Sequence, residues 1–286
     1  MNMKRLIALA LALVLSLALA ACGSGAAPSP SASAPAESAP TESASAESDL
    51  DYVKGKGALV IGYTVYAPMN YTDDNGEFTG FDTELAKAVC EKLGVEPQFQ
   101  EIVWETKEIE LAGKTIDCIW NGMTLDPERE ANMACTVPYV KNAQVVVMKA
   151  DADYADTSSL IGKSVCAEVG SAGETQILGN EETKPDANLA QADYVGKSVQ
   201  TDCLMEVAAG TCDAAVLDMT LANAMIGEGT DYAGLKIVDE LAVENYGVAF
   251  RQGSDVRDAV NEIFAEMVAD GSLGALADKY GLELAD

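Results

Sequence analysis

Histidine is absent from all 286 residues. Without imidazole there is no Ser-His-Asp or Cys-His nucleophile system, no HExxH zinc motif and no histidine metal ligand. Cations are scarce too: 18 Lys and Arg stand against 46 Asp and Glu, a formal charge of −28. A chain with no basic stripe releases no counterions from phosphates, so nucleic acid is excluded as a partner. The same acidity opposes electrostatic docking on anionic lipid. CxxC pairs are also missing. Besides Cys22 the sequence holds Cys90, Cys118, Cys135, Cys166, Cys203 and Cys212 at wide spacings. A body this large needs no staples, so these thiols are expected as small buried hydrophobes, with no metal site and no cofactor.

Long apolar runs are confined to the N-terminus. Lys4 and Arg5 precede Leu6 to Ala20, interrupted only by Ser16. This run is shorter than the roughly 20 residues of a spanning helix and suits the h-region of a secretory signal. It ends in Leu19-Ala20-Ala21-Cys22-Gly23, which resembles the lipobox of bacterial lipoproteins. That resemblance implies cleavage of residues 1–21 and acylation of Cys22, and two or more acyl chains anchor stably. An ordinary signal peptide with a chance cysteine is the alternative. Residues 22–49 then form a tether. Gly23 to Ser48 holds only Gly, Ser, Ala, Pro, Thr and Glu, with Glu-Ser recurring at 37, 42 and 47. Such a stretch cannot offset its ordering entropy by burial.

From Ala58 onward strand-like and helix-like segments alternate. Ala58 to Tyr63 reads as a buried strand, Asp73 to Gly76 as a turn, and Phe81 to Leu93 as an amphipathic helix. Leu85, Val89 and Leu93 form that helix's apolar face, Asp82 is placed to cap it and Gly94 to stop it. Strands follow at Val95 to Val103, Thr115 to Trp120, Gln144 to Met148, Ser164 to Glu168, Asp213 to Asp218, Leu235 to Val238 and Gly247 to Phe250. Helices are expected near Glu105 to Ala112, after the turn Gly170-Ser171-Ala172-Gly173, over Val199 to Ala209, Met219 to Ile226, Asp255 to Ala269 and Leu273 to Tyr280. This βαβ rhythm implies open, largely parallel sheets covered by helices, with ligands taken beyond the carboxyl ends of the strands.

Three of those loops carry a specific pattern. They are Gly80-Phe81-Asp82, then Asp117-Cys118-Ile119-Trp120-Asn121-Gly122-Met123-Thr124-Leu125-Asp126-Pro127-Glu128-Arg129 followed by Thr136-Val137-Pro138-Tyr139, and Gly210-Thr211-Cys212-Asp213-Ala214-Ala215-Val216-Leu217-Asp218. With Tyr246 to Phe250 and Ala269 to Leu273, their order and spacing resemble the bacterial extracellular solute-binding proteins of family 3, the polar amino-acid receptors of ABC importers. The resemblance covers about Leu50 to Gly281. It implies an α/β, two-lobed periplasmic-binding-protein-like (type II) fold, each lobe an open mostly parallel sheet flanked by helices. Lobe 1 would be residues 50–143 plus 245–286 and lobe 2 residues 144–244, with crossings at Ala143-Gln144 and Glu244-Asn245 acting as a hinge.

Arg129 offers a permanently charged fork that matches an α-carboxylate. Spacing alone favours a helix-surface residue paired with Glu128 or Glu130. The resemblance makes it the carboxylate ligand, with Thr124 and the Gly122 backbone beside it. Asp218 ends a buried strand, where a carboxylate needs a partner. The resemblance supplies a ligand ammonium, and an N-cap for the next helix is the alternative. Ser171 and the amides of Ala172 and Gly173 sit at a helix N-terminus that attracts anions. Relatives usually carry a hydroxyl residue where Ala172 stands. Tyr66 and Trp104 match positions whose rings flank the ligand side chain, although either could be core, and Asn121 also faces the ligand on this reading. The stretch Gly62 to Tyr66 lacks the acid that relatives specific for basic amino acids place there, which favours a neutral polar ligand. Glu168, where relatives often have Gln, leaves room for a cationic one.

The resulting expectation is a monomeric, non-catalytic lipoprotein on the extracytoplasmic face of the cell membrane. It binds an amino acid and passes it to the transmembrane subunits of an ABC permease. An enzyme on the same scaffold, resembling cyclohexadienyl dehydratase with Glu168 as general acid, and a ligand-sensing module are the alternatives.

Overall fold

The structure, a computed structural model, describes residues 48–286. The signal segment, Cys22 and the tether up to residue 47 lie outside the described residues. Ser48 and Asp49, expected at the end of the tether, belong to the body. Ser48 caps α1 (Asp49–Lys56) by accepting the Asp51 amide, and Asp49 pairs with Arg251 at 2.9 Å. The repeated Glu-Ser rhythm hides this helix start, which the acidic first turn would otherwise mark.

The chain then runs through β1 (Ala58–Tyr63), the hairpin β2 (Tyr71–Thr72) and β3 (Phe78–Thr79), α2 (Phe81–Leu93) and β4 (Glu96–Glu101). A 3₁₀ turn at Trp104–Thr106 leads into α3 (Lys107–Ala112), followed by β5 (Cys118–Thr124), α4 (Pro127–Asn132), β6 (Ala134–Cys135) and the long β7 (Val140–Lys149). Next come β8 (Ser164–Glu168), α5 (Ala172–Leu178), β9 (Asp193–Lys197), α6 (Gln200–Ala209), β10 (Ala214–Asp218) and α7 (Met219–Met225). The chain finishes with β11 (Leu235–Phe250), α8 (Val256–Ala269) and α9 (Ser272–Tyr280).

The strands join in the order β4-β1-β5-β11-β7-β10-β8-β9, with β6 also on β11. On one flank β1 is parallel to β4 and β5, and on the other β8 is parallel to β9 and β10. The two flanks meet through β7 and β11, which are antiparallel to each other. β11 pairs with β7 from Leu235 to Tyr246 and with β5 from Tyr246 to Phe250, so one strand serves both lobes. The crossings expected at Ala143-Gln144 and Glu244-Asn245 therefore lie side by side, with Ala143 opposite Val243 and Asn142 opposite Glu244.

Three expectations shift. The segments Leu235 to Val238 and Gly247 to Phe250 are one 16-residue strand, because the polar stretch between them stays laddered through two register shifts. The strand expected at Thr115 to Trp120 runs instead over Cys118–Thr124, buried at all seven positions, and its polar Asn121 and Thr124 disguise it. Asp82 does not cap α2. Gly80 holds the N-cap position without a side-chain bond, and the Asp82 side chain is fully buried in the body. α2 instead packs Phe81, Leu85 and Val89 into a core shared with Leu59, Ile61, Trp120 and Phe264. Five of the six described cysteines are buried as free thiols, and Cys135 is half-buried.

Candidate functional site

All nine residues named from the sequence line one narrow cleft, together with Glu168 and Gln200, with a free volume of about 10 Å³ in this arrangement. Tyr66, Trp104, the end of β5 and Arg129 on α4 form one wall. The ends of β8 and β10 and the first residues of α5 and α6 form the other. The parallel strands thus deliver their carboxyl ends to the gap between the two flanks, as this sheet architecture requires.

Arg129 is positioned by a short helix that the sequence reading missed. Asp126 caps α4 by accepting the Arg129 amide at 2.9 Å, and Pro127 occupies the first turn. The guanidinium is buried. Its Nε pairs with Asp126 at 3.2 Å, not with Glu128 or Glu130. One terminal nitrogen donates to the Thr124 carbonyl at 2.9 Å and the other to the Gly170 carbonyl across the gap at 3.1 Å. Two of its five N–H groups thus donate to carbonyls and Nε is ion-paired, leaving one N–H on each terminal nitrogen.

Asp218 faces it from β10. It occupies the N-cap position of α7 but makes no cap bond. Its carboxylate instead accepts from Asn142 Nδ2 at 2.7 Å, Gln144 Nε2 at 2.6 Å and Gln200 Nε2. Asn142 and Gln144 also donate to Glu244, at 2.6 and 2.8 Å, and the Thr124 hydroxyl donates to the same Glu244 oxygen at 2.8 Å. Two carboxyls on different strands thus share two amide donors. Burial, then the nearby Asp218 charge, pushes Glu244 up to about 8. Burial also raises Asp218, against the pull of its amide donors. Glu168 at the end of β8 is pushed up to about 8 by burial and then by Asp218. Lys107 is drawn down to about 8, by burial first and Arg129 second. It holds the Gly170 and Trp104 carbonyls at 3.1 and 3.3 Å and lies 4.9 Å from the Trp104 ring centre.

The remaining residues do different work from one another. Asn121 spends both amide hydrogens on Thr64 and Asn70, at 2.8 Å each, and its oxygen accepts from Thr64, so it lines the cavity with its polar groups already committed. The Tyr66 hydroxyl meets Tyr246 at 2.5 Å and Thr220 of α7, a contact between the two flanks. Gly122 sits at φ 57, and a Cβ there would stand 2.8 Å from the Tyr66 ring. Ser171 caps α5 through the Glu174 amide, which leaves the Ala172 edge facing the cavity. The sequence reading missed Asn142, Gln144, Gln200 and Glu244. Two amides spaced by two on a buried strand share one face, and that was the available signal for the first pair.

The sequence matches the description "Bacterial extracellular solute-binding proteins, family 3" over residues 59–283. It is similar to the arginine-binding extracellular protein ArtP of Bacillus subtilis, 29% identical over 228 residues, covering 79% of this chain and 87% of that protein. Among solved structures, a mutant of ArgBP from T. maritima superimposes with a TM-score of 0.73 at 29% identity, covering 81% of this chain and 98% of that one. A substrate-binding protein of an ABC uptake transporter from Streptococcus pneumoniae, solved with bound histidine, gives 0.71 at 28% identity, covering 80% and 95%. The chain belongs to the bacterial extracellular solute-binding proteins of family 3.

Proposed function

We propose that the chain is a lipid-anchored extracytoplasmic receptor, acylated at Cys22, that closes on a polar amino acid and hands it to the permease of an ABC importer. One observation carries the reading: Arg129 and Asp218 line the same narrow cleft from opposite flanks. A zwitterion satisfies both at once. Its carboxylate takes the two uncommitted N–H groups of Arg129, and its ammonium relieves the crowded acids around Asp218. Because the guest bridges both flanks, binding favours the closed arrangement, with β7 and β11 as the hinge. Thr124, Gly122, Ser171 and Ala172 shape the carboxylate end, Asn121 braces the wall, and Tyr66 and Trp104 flank the side chain. The cleft binds and releases without chemistry, so prephenate and arogenate come back unchanged.

Isothermal titration calorimetry against the twenty amino acids tests this reading. Micromolar or tighter binding by at least one is expected, weakened about 30-fold or more in Arg129→Ala, since unpairing a buried charge costs roughly 2–5 kcal/mol. No binding by any amino acid, or full affinity in Arg129→Ala, overturns it.

A further inference from the structure

Glu168 is 3% exposed and lines the cavity, and its Oε1 has no hydrogen-bond partner among the described residues. Its carboxyl lies beside Gln200, whose amide donates to Asp218. A buried carboxylate oxygen left without a donor is a costly arrangement that a fold does not keep without reason.

The charges around the cavity point the same way. Asp218, Glu244 and Glu168 form a line of acids linked by Asn142, Gln144 and Gln200. Against them stand Arg129, already paired with Asp126, and Lys107, whose ammonium is held by two carbonyls with no salt bridge to Glu168. An α-amino acid brings one ammonium and one carboxylate, so it fills the Arg129–Asp218 axis without changing the balance. Of these three acids, Glu168 alone is then left with a buried oxygen that has no partner among the described residues.

We infer that the guest carries a second positive group, a side-chain ammonium or guanidinium, and that Glu168 Oε1 is the atom that receives it. The inference rests on the reading of this cleft as an amino-acid site. Trp104 and Tyr66 supply ring faces along which a methylene stem can lie. The sequence expectation of a neutral ligand came from the missing acid in Gly62 to Tyr66. Glu168 supplies that charge from the opposite flank, at the end of a strand.

Calorimetry on the purified full-length protein with two matched pairs tests it: arginine against citrulline, and lysine against norleucine. Within each pair the stem is kept and the positive charge removed. In the wild type the charged member of at least one pair binds at least about tenfold tighter. In Glu168→Gln that gap falls below about threefold, while the neutral member is little changed. A neutral member that binds as tightly as its charged partner, or a gap that survives in Glu168→Gln, overturns the inference. The wild-type comparison decides alone should the variant fold poorly. Binding of neutral amino acids that still depends on Arg129 removes this inference and keeps the amino-acid site. Silence across all amino acids removes both.

Discussion

Asp82 Oδ2 accepts the Gly122 amide at 2.6 Å and the Tyr139 hydroxyl at 3.0 Å, fastening the first turn of α2 to the middle of β5. The other oxygen, Oδ1, is buried without a partner among the described residues. Burial pushes this carboxyl up to about 7, against the pull of the Gly122 amide. In the unfolded chain an aspartate titrates near 3.9. The folded state therefore binds the extra proton between about pH 4 and 7, and stability is lost as pH rises through that window. Ionising so buried a carboxyl costs the folded state roughly 4 kcal/mol across the whole window. The melting temperature of the unliganded protein is expected to fall between pH 5 and pH 8, read by scanning calorimetry. Asp82→Asn keeps an oxygen for both donors, so it should flatten that slope and melt higher at pH 8. A wild-type melting temperature that climbs from pH 5 to 8 would contradict this account.

Asp218 and Glu244 compete for the same two amides, and burial raises both. The other ionisable groups facing them are Glu168, Lys107, Arg129, Tyr66 and Tyr246, and both tyrosines are pushed up and stay neutral. An arriving ammonium favours the ionised carboxyls, so the occupied cleft holds fewer protons than the free one. Affinity is then expected to increase with pH up to about 8, with release of about one proton per guest near pH 6.5. Titrations in two buffers of different ionisation heat measure that number. Identical apparent heats would show that the acids do not discharge.

Gly122 accepts no side chain. At φ 57 its Cβ would press on Tyr66 at 2.8 Å and on Tyr246 at 3.1 Å. Gly122→Ala is expected to lose about 1–3 kcal/mol of stability and to weaken amino-acid binding, because the Tyr66 ring must move. Thermal melts and titrations on the same preparation give both numbers, and a neutral result in both would refute the close approach.

Removing one oxygen tests the contact between the flanks. Tyr66→Phe deletes the hydroxyl that meets Thr220 and Tyr246, while those two keep each other at 2.9 Å. No buried group is orphaned, so stability should change by under about 1.5 kcal/mol. The effect is expected in the guest's release rate, several-fold faster by stopped-flow fluorescence. An unchanged release rate would mean that this contact does not help hold the lobes shut.

The fold was legible where burial imposes a period. The runs at Ala58 and Ser164, the face of α2 and the glycine stops at Gly94 and Gly210 all declare themselves locally. The nine residues named through the family resemblance line one cleft, whereas spacing alone left Arg129 a helix-surface residue and Tyr66 and Trp104 open to a place in the core. What escaped belongs to long-range pairing. Asp82 looks like a cap until Gly122, 40 residues away, arrives to donate to it. Glu244 sits in a polar, half-buried stretch whose strand character comes from laddering with β7 rather than from its own side chains. No local rule assigns such a residue to a cleft.

β7 and β11 pass between the flanks as neighbouring ribbons laddered from Tyr246 back to Leu235 through two register shifts. A tied ribbon twists readily but resists slipping, because a one-residue slide would break every rung at once. In the proposed receptor this pairing would limit the two halves to swinging like leaves on a common pin. A single angle would then set how far Arg129 stands from Asp218, and with it how easily the proposed guest enters or leaves.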